Sequence, residues 1–128
     1  MEFVGAIENV EREGSIPLSC EPHAIELPDG RIVCQIRVHK GMFTVFQSES
    51  DDKGRTWTKP HQILSDLGGS PPHLIRHSSG VVISSYGYRE KPYGIRMMFS
   101  YDGCKTWDID NVLYNNEVGV DIGYPATV

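Results

Sequence analysis

The chain has 128 residues, 39% hydrophobic and 23% charged, which suits one globular domain with a buried core and not a disordered chain. Its formal net charge is −5 and its 12 Lys and Arg form no cluster, so nucleic acid is not an expected partner. No apolar run approaches the roughly 18 residues that span a bilayer, so no membrane partner is expected, and the opening MEFVGAIENV shows no secretion signal.

In chain order, residues 1 to about 14 read as the tail of an earlier structural unit, and 1–19 as the end of that unit and a loop. A short apolar strand, Ala24 to Leu27, runs into the turn Pro28-Asp29-Gly30, followed by a β-branched strand from Ile32 to Val38 and a third from Phe43 to Gln47. Next comes an octapeptide, S-x-D-x-G-x-T-W, carried by Ser50, Asp52, Gly54, Thr56 and Trp57, and a closing strand from Thr58 to Leu64.

The same order then repeats: Leu74 to Ile75, the turn Ser78-Ser79-Gly80, Val81 to Tyr86, Ile95 to Phe99, the octapeptide at Ser100, Asp102, Thr106 and Trp107, and Asp108 to Tyr114. Pro22-His23 and Pro72-His73, Gly30 and Gly80, and Trp57 and Trp107 all stand fifty apart. A third unit opens at Tyr124 and stops in its first strand.

Self-similarity at a period of about 40 to 50 with four strands per unit is the signature of propeller blades. The fold class expected is all-β: a partial β-propeller of about two and a half four-stranded antiparallel blades, 20–70, 71–120 and the first strand of a next blade in 121–128, with little helix. Propellers usually close with about 4 to 8 blades. Open blade faces would then expose apolar surface, and the isolated chain is expected to self-associate through them.

The octapeptide reads as structural. Its Asp accepts bonds from the turn's own backbone, its Gly takes a positive φ, and its Trp packs between strands. Cys104 stands where the second copy should have glycine, which predicts a different or strained turn. The three cysteines, Cys20, Cys34 and Cys104, read as free thiols. His73 and His77 would share a face only on a helix, whereas their neighbours Pro71-Pro72 and Ser78-Ser79-Gly80 favour a strand. No metal site and no cofactor are expected.

Alternating strand direction sorts the loops onto two faces. One takes the first turns and the octapeptides. The other takes residues just before each first strand and just after each second one, namely Glu21, Arg37, Arg89 and Tyr124, so four scattered side chains can meet at one channel mouth. Asp121 either lines the same pocket or caps a turn. His23 and His73 are equivalent positions near that mouth, with repeat structure their first reading and substrate contact for His23 the second. Arg96 reads as structural or outward-facing.

The doubled octapeptide, an Asp-box motif, with C-E-P-H-A-I-E-L-P-D-G-R, an arginine at the end of the next strand, another one blade on, and a tyrosine in D-I-G-Y-P, resembles the sialidase (neuraminidase) superfamily from about Cys20 to Val128. Those enzymes are six-bladed propellers with BNR repeats that cleave terminal sialic acids. The resemblance implies that Tyr124 is the nucleophile, Glu21 the carboxylate that activates it, and Arg37 and Arg89 two of three arginines that hold the substrate carboxylate.

The chemistry is coherent. A neutral phenol escapes the repulsion that a carboxylate nucleophile would meet beside an anionic sugar, and sialidases are the tyrosine exception among glycosidases. Its pKa near 10 requires an adjacent base. The family's first arginine and acid/base aspartate have no counterpart here, and D-I-G-Y-P differs from the serine-rich surroundings usual after the nucleophile.

The function expected is therefore a sialidase-like exo-glycosidase, an incomplete fragment whose partner is a sialoside or related glycan. Related propellers act on uronic-acid-containing and arabinan-type glycans. The alternative is a non-catalytic Asp-box propeller that binds glycan or protein.

Overall fold

The computed structural model describes residues 3–10, 18–39, 43–64, 69–115, 119 and 122–128. Among these residues, eight strands form two four-stranded antiparallel sheets, each ordered as in sequence. The first holds β1 (Leu18–Glu26), β2 (Ile32–His39), β3 (Phe43–Ser50) and β4 (His61–Gln62); the second holds β5 (Gly69–Arg76), β6 (Val82–Tyr88), β7 (Gly94–Ser100) and β8 (Asp108–Asn115). There is no helix among the described residues. The fold is all-β and propeller-like in part, as the repeat implies.

Three strands differ most from expectation, among them β5, which begins at Gly69 rather than Leu74 across a register shift between Gly69 and Pro72. β1 begins at Leu18 rather than Ala24, because a bulge between Cys20 and His23 lets pairing continue past Pro22. β4 shrinks to His61 and Gln62, paired with Gln47 and Phe46, since Pro60 has no amide hydrogen to extend the ladder.

Directly opposed residues in an antiparallel pair point to the same side. Val33, Gln35 and Arg37 on β2 therefore share a face with Ile25, His23 and Cys20 on β1 and with Glu49, Gln47 and Val45 on β3. That face meets the second sheet. Leu27 and Val33 pack with Leu74, Val82 and Cys104, while Val45 packs with Leu64, Tyr86 and Met98. Leu74 and Met98 are fully buried, and truncating either to Ala costs about 2–5 kcal/mol.

The opposite face, with Cys34, Ile36, Val38 and Phe46, is covered by Ile7 and Val10 of the N-terminal segment and by Trp57. At Gly5 that segment lies so close to the first octapeptide that any Cβ would strike the carbonyl oxygens of Gly54 and Arg55. On β8, Val112, Leu113 and Tyr114 stay exposed.

Buried amides stitch the two sheets together. Gln47 Nε2 donates to the Cys104 carbonyl at 2.7 Å, its Oε1 accepts from Trp107 Nε1 at 3.0 Å, and Ser84 Oγ donates to Gln35 Oε1 at 2.6 Å. Arg31 Nη2 also reaches the Gly103 carbonyl at 2.9 Å. The second octapeptide is thus docked on the first sheet by Gln47 and Arg31.

Within each octapeptide the bonds are local and nearly identical. Ser50 Oγ donates to Asp52 Oδ1 (2.9 Å) and accepts from the Gly54 amide (2.8 Å), while Asp52 takes the Thr56 amide (2.8 Å) and hydroxyl (2.7 Å). Ser100, Asp102, Cys104 and Thr106 repeat this pattern at 2.9, 2.8, 2.9 and 2.6 Å. These donors hold both aspartates at a pKa of about 2.

Two successive residues are left-handed in each copy: Lys53 and Gly54 at φ 61° and 83°, and Gly103 and Cys104 at 73° and 66°. The second copy has therefore not lost its glycine but carries it one place earlier. The backbone is preserved and Cys104 bears the strain that Lys53 bears in the first copy.

A second repeated device links β1 to β5 and β5 to residues 122–128. His23 Nδ1 accepts the Leu74 amide at 3.1 Å, and His73 Nδ1 accepts the Thr127 amide at 3.2 Å. The two rings lie 4.3 Å apart. Residues 122–128 form no ladder, yet Thr127 meets His73 as Leu74 meets His23, and its hydroxyl pairs with Ser85 at 2.7 Å.

Candidate functional site

The bulge in β1 positions the first group. Glu21 and Pro22 together oppose Ile36, and Glu21 takes a left-handed φ of 49°. Such a conformation costs a non-glycine residue about 1–2 kcal/mol and turns its side chain out of the regular pleat. Glu21 thereby faces Arg37, whose partner in the ladder is the preceding residue, Cys20.

Arg37 Nη1 donates to Glu21 Oε2 at 2.6 Å, and the Tyr124 hydroxyl donates to Glu21 Oε1 at 2.7 Å. The two oxygens of the Glu21 carboxylate thus join Arg37 to Tyr124, a tyrosine 103 residues along the chain from Glu21. Arg37 is 9% exposed and its Nε has no hydrogen-bond partner, whereas Tyr124 is 66% exposed.

Electrostatics fixes the protonation of this pair. Partial burial pushes the Glu21 carboxyl up, but the Tyr124 phenol, Arg37 and the charge of Arg89 outweigh it and hold Glu21 below the usual carboxylate range. The hydrogen bond to Glu21, and then its negative charge, raise the Tyr124 phenol above its ordinary value. At neutral pH the resting pair is a neutral phenol donating to a carboxylate.

Arg89 follows β6 on the second sheet and comes back to this cluster. Its Cζ stands 5.0 Å from the centroid of the Phe43 ring, and Arg37 Cζ stands 4.8 Å from the same centroid. His39 packs edge-on against Phe43 at 4.5 Å. Nothing in the sequence singled out Phe43: an aromatic at a strand start has the same local pattern whether it packs a core or lies beneath cations.

Glu21, Arg37, Arg89 and Tyr124 are thus one cluster. His23 is not tied into it: its Nδ1 is taken by the Leu74 amide and its ring lies against His73 between β1 and β5. Burial, then the neighbouring His73, lowers its pKa. Asp121 lies outside the described residues. Arg96 is structural but buried, bonded to Asn115 Oδ1 at 2.8 Å and the Pro92 carbonyl at 3.2 Å and placed over the Tyr88 ring. Among the described residues no group of three or more His, Cys, Asp or Glu could hold a metal ion.

No family model and no curated protein matches this chain. Solved structures do. A protein of unknown function from Dyadobacter fermentans DSM 18053 superposes with a TM-score of 0.79 at 28% identity over 96% of this chain. A Hadza microbial sialidase superposes with a TM-score of 0.62 at 20% identity over 78% of it. The chain spans 32% of the first protein and 26% of the second, so both neighbours are several times longer. The fold is therefore similar to part of a sialidase.

Proposed function

We propose that this chain contributes the nucleophile side of a glycosidase site for a terminal acidic sugar, of which sialic acid is the type. The observation that carries this reading is the hydrogen bond from the Tyr124 phenol to Glu21 Oε1, with Arg37 on Oε2.

In that reaction the Tyr124 oxygen attacks the anomeric carbon, its proton passes to Glu21, and the bond to the leaving group breaks. The intermediate is a glycosyl ether of Tyr124, which water later cleaves as the proton returns. Arg37 and Arg89 bind the sugar carboxylate through charge-assisted hydrogen bonds worth about 1.5–3 kcal/mol each. The acid for the leaving oxygen and a further arginine have no counterpart in these 128 residues and would come from elsewhere in the ring.

One observation favours binding without turnover: Glu21 is held below the usual carboxylate range, which weakens it as a base. The test is hydrolysis of a fluorogenic sialoside by the longest natural polypeptide containing this sequence. Glu21→Gln should lose about 10²–10⁴-fold in kcat, and Tyr124→Phe at least as much. Binding of the sialoside without hydrolysis by the unmodified protein would assign the glycan-binding alternative. Full activity in Tyr124→Phe would overturn the glycosidase.

A further inference from the structure

We infer that Phe43 is a positioning residue, its ring holding the guanidiniums of Arg37 and Arg89 together as one anion-binding pair; this rests on the reading of the two arginines just given. Two like charges drawn to one carboxylate repel each other, and something must offset that repulsion before substrate arrives.

The fold supplies it through register. His39 opposes Phe43 and Arg37 opposes Val45, so Arg37, His39, Phe43 and Val45 share one face, with Phe43 diagonal to Arg37. Arg89 arrives at the same ring from the other sheet, and both guanidinium carbons lie within about 6 Å of the centroid, the range of cation–π attraction.

The contact between a cation and a ring face uses no N–H, so it orients a guanidinium without consuming a hydrogen-bond donor. The ring itself is steadied by the edge of His39. Burial, then the charge of Arg37, lowers the His39 pKa, so a third cation is kept out of the group. Among the described residues, Arg37 and Arg89 lie over the ring, His39 lies at its edge, and the Glu21 charge opposes the two arginines in acting on His39.

The test combines a spectroscopic signature with ligand titration in Phe43→Leu and Phe43→Tyr. In the ligand-free protein, ring-current shifts of the Arg37 and Arg89 side-chain NMR resonances should disappear in Phe43→Leu and persist in Phe43→Tyr. Titrated with N-acetylneuraminate, Phe43→Leu should bind about tenfold more weakly, and Phe43→Tyr should return to within about twofold of the unmodified protein.

Arginine resonances that do not move in Phe43→Leu, or equal affinity in Phe43→Leu and the unmodified protein, would overturn the proposal. So would equal weakening in both variants. A protein that binds acetate with this Phe43 dependence but not N-acetylneuraminate would keep the paired arginines and remove the sialic-acid reading.

Discussion

Glu21 and Tyr124 share a hydrogen bond of 2.7 Å and also the same position in the repeat, two units apart. Each immediately precedes a proline, in Glu21-Pro22-His23-Ala24 and Tyr124-Pro125-Ala126-Thr127, and the intervening unit has Pro71-Pro72-His73-Leu74. The frame is set by the histidine bonds, since Leu74 and Thr127 each give an amide hydrogen to the histidine of the preceding unit. One position of the sequence repeat thus delivers a carboxylate at Glu21 and a phenol at Tyr124.

With the Tyr124 phenol, Arg37 keeps this carboxylate charged against the cost of its partial burial. Arg37→Met should raise the Glu21 pKa, because it removes both a donor and a positive charge. Arg37→Lys should raise it less. Carbon-detected NMR titration of the Glu21 carboxyl measures both, and an unchanged value in Arg37→Met would contradict the pairing.

The left-handed pair in each octapeptide predicts opposite outcomes for similar changes. Lys53→Gly relieves about 1–2 kcal/mol of left-handed strain against a glycine entropy cost of about 0.5–1 kcal/mol, so the protein should gain up to about 1.5 kcal/mol. Cys104→Gly relieves the same strain but removes a buried side chain packed on Leu27, Val33, Leu74 and Val82, so it should bring no gain. Urea midpoints with an unchanged slope measure both variants.

Gln47 is a stability residue of the contact between sheets. Gln47→Leu leaves the Cys104 carbonyl and the Trp107 indole N–H without their partners in a buried setting, at about 1–3 kcal/mol each. The loss expected is about 2–6 kcal/mol in urea denaturation, and a loss under about 1 kcal/mol would contradict the network.

What the sequence made legible follows from how locally each feature is encoded. The octapeptides were readable because their bonds span four residues or fewer, so spacing alone specifies the turn. Glu21, Arg37, Arg89 and Tyr124 were readable only through the repeat, which fixes strand direction and hence the end at which each side chain emerges. Phe43, Gln35 and Gln47 were not readable: their partners lie on other strands and their spacing has no period. The start of β1 was hidden for a related reason, since Pro22 signals a break unless the bulge at Glu21 is known.

The histidine links predict a pH response. The folded-state pKa of His23 is lowered, by burial first and then by His73, so its neutral form is favoured with Nδ1 accepting the Leu74 amide. The unfolded chain takes up this proton first, near pH 6.5, so the contribution is full above that value and falls as the pH drops through it. Glu21, Asp52 and Asp102, also lowered, add a second loss below about pH 4. Urea midpoints between pH 7.5 and 5.5 should decline in the unmodified protein and decline less in His23→Gln, and equal slopes would contradict the link.

The most direct measurement is an NMR titration of the Tyr124 ring carbon bearing the hydroxyl, in the unmodified protein and in Glu21→Gln. The phenol should titrate above its ordinary value near pH 10 in the first and move back toward it in the second. A Tyr124 that titrates as a free phenol in both would mean that the two side chains do not meet.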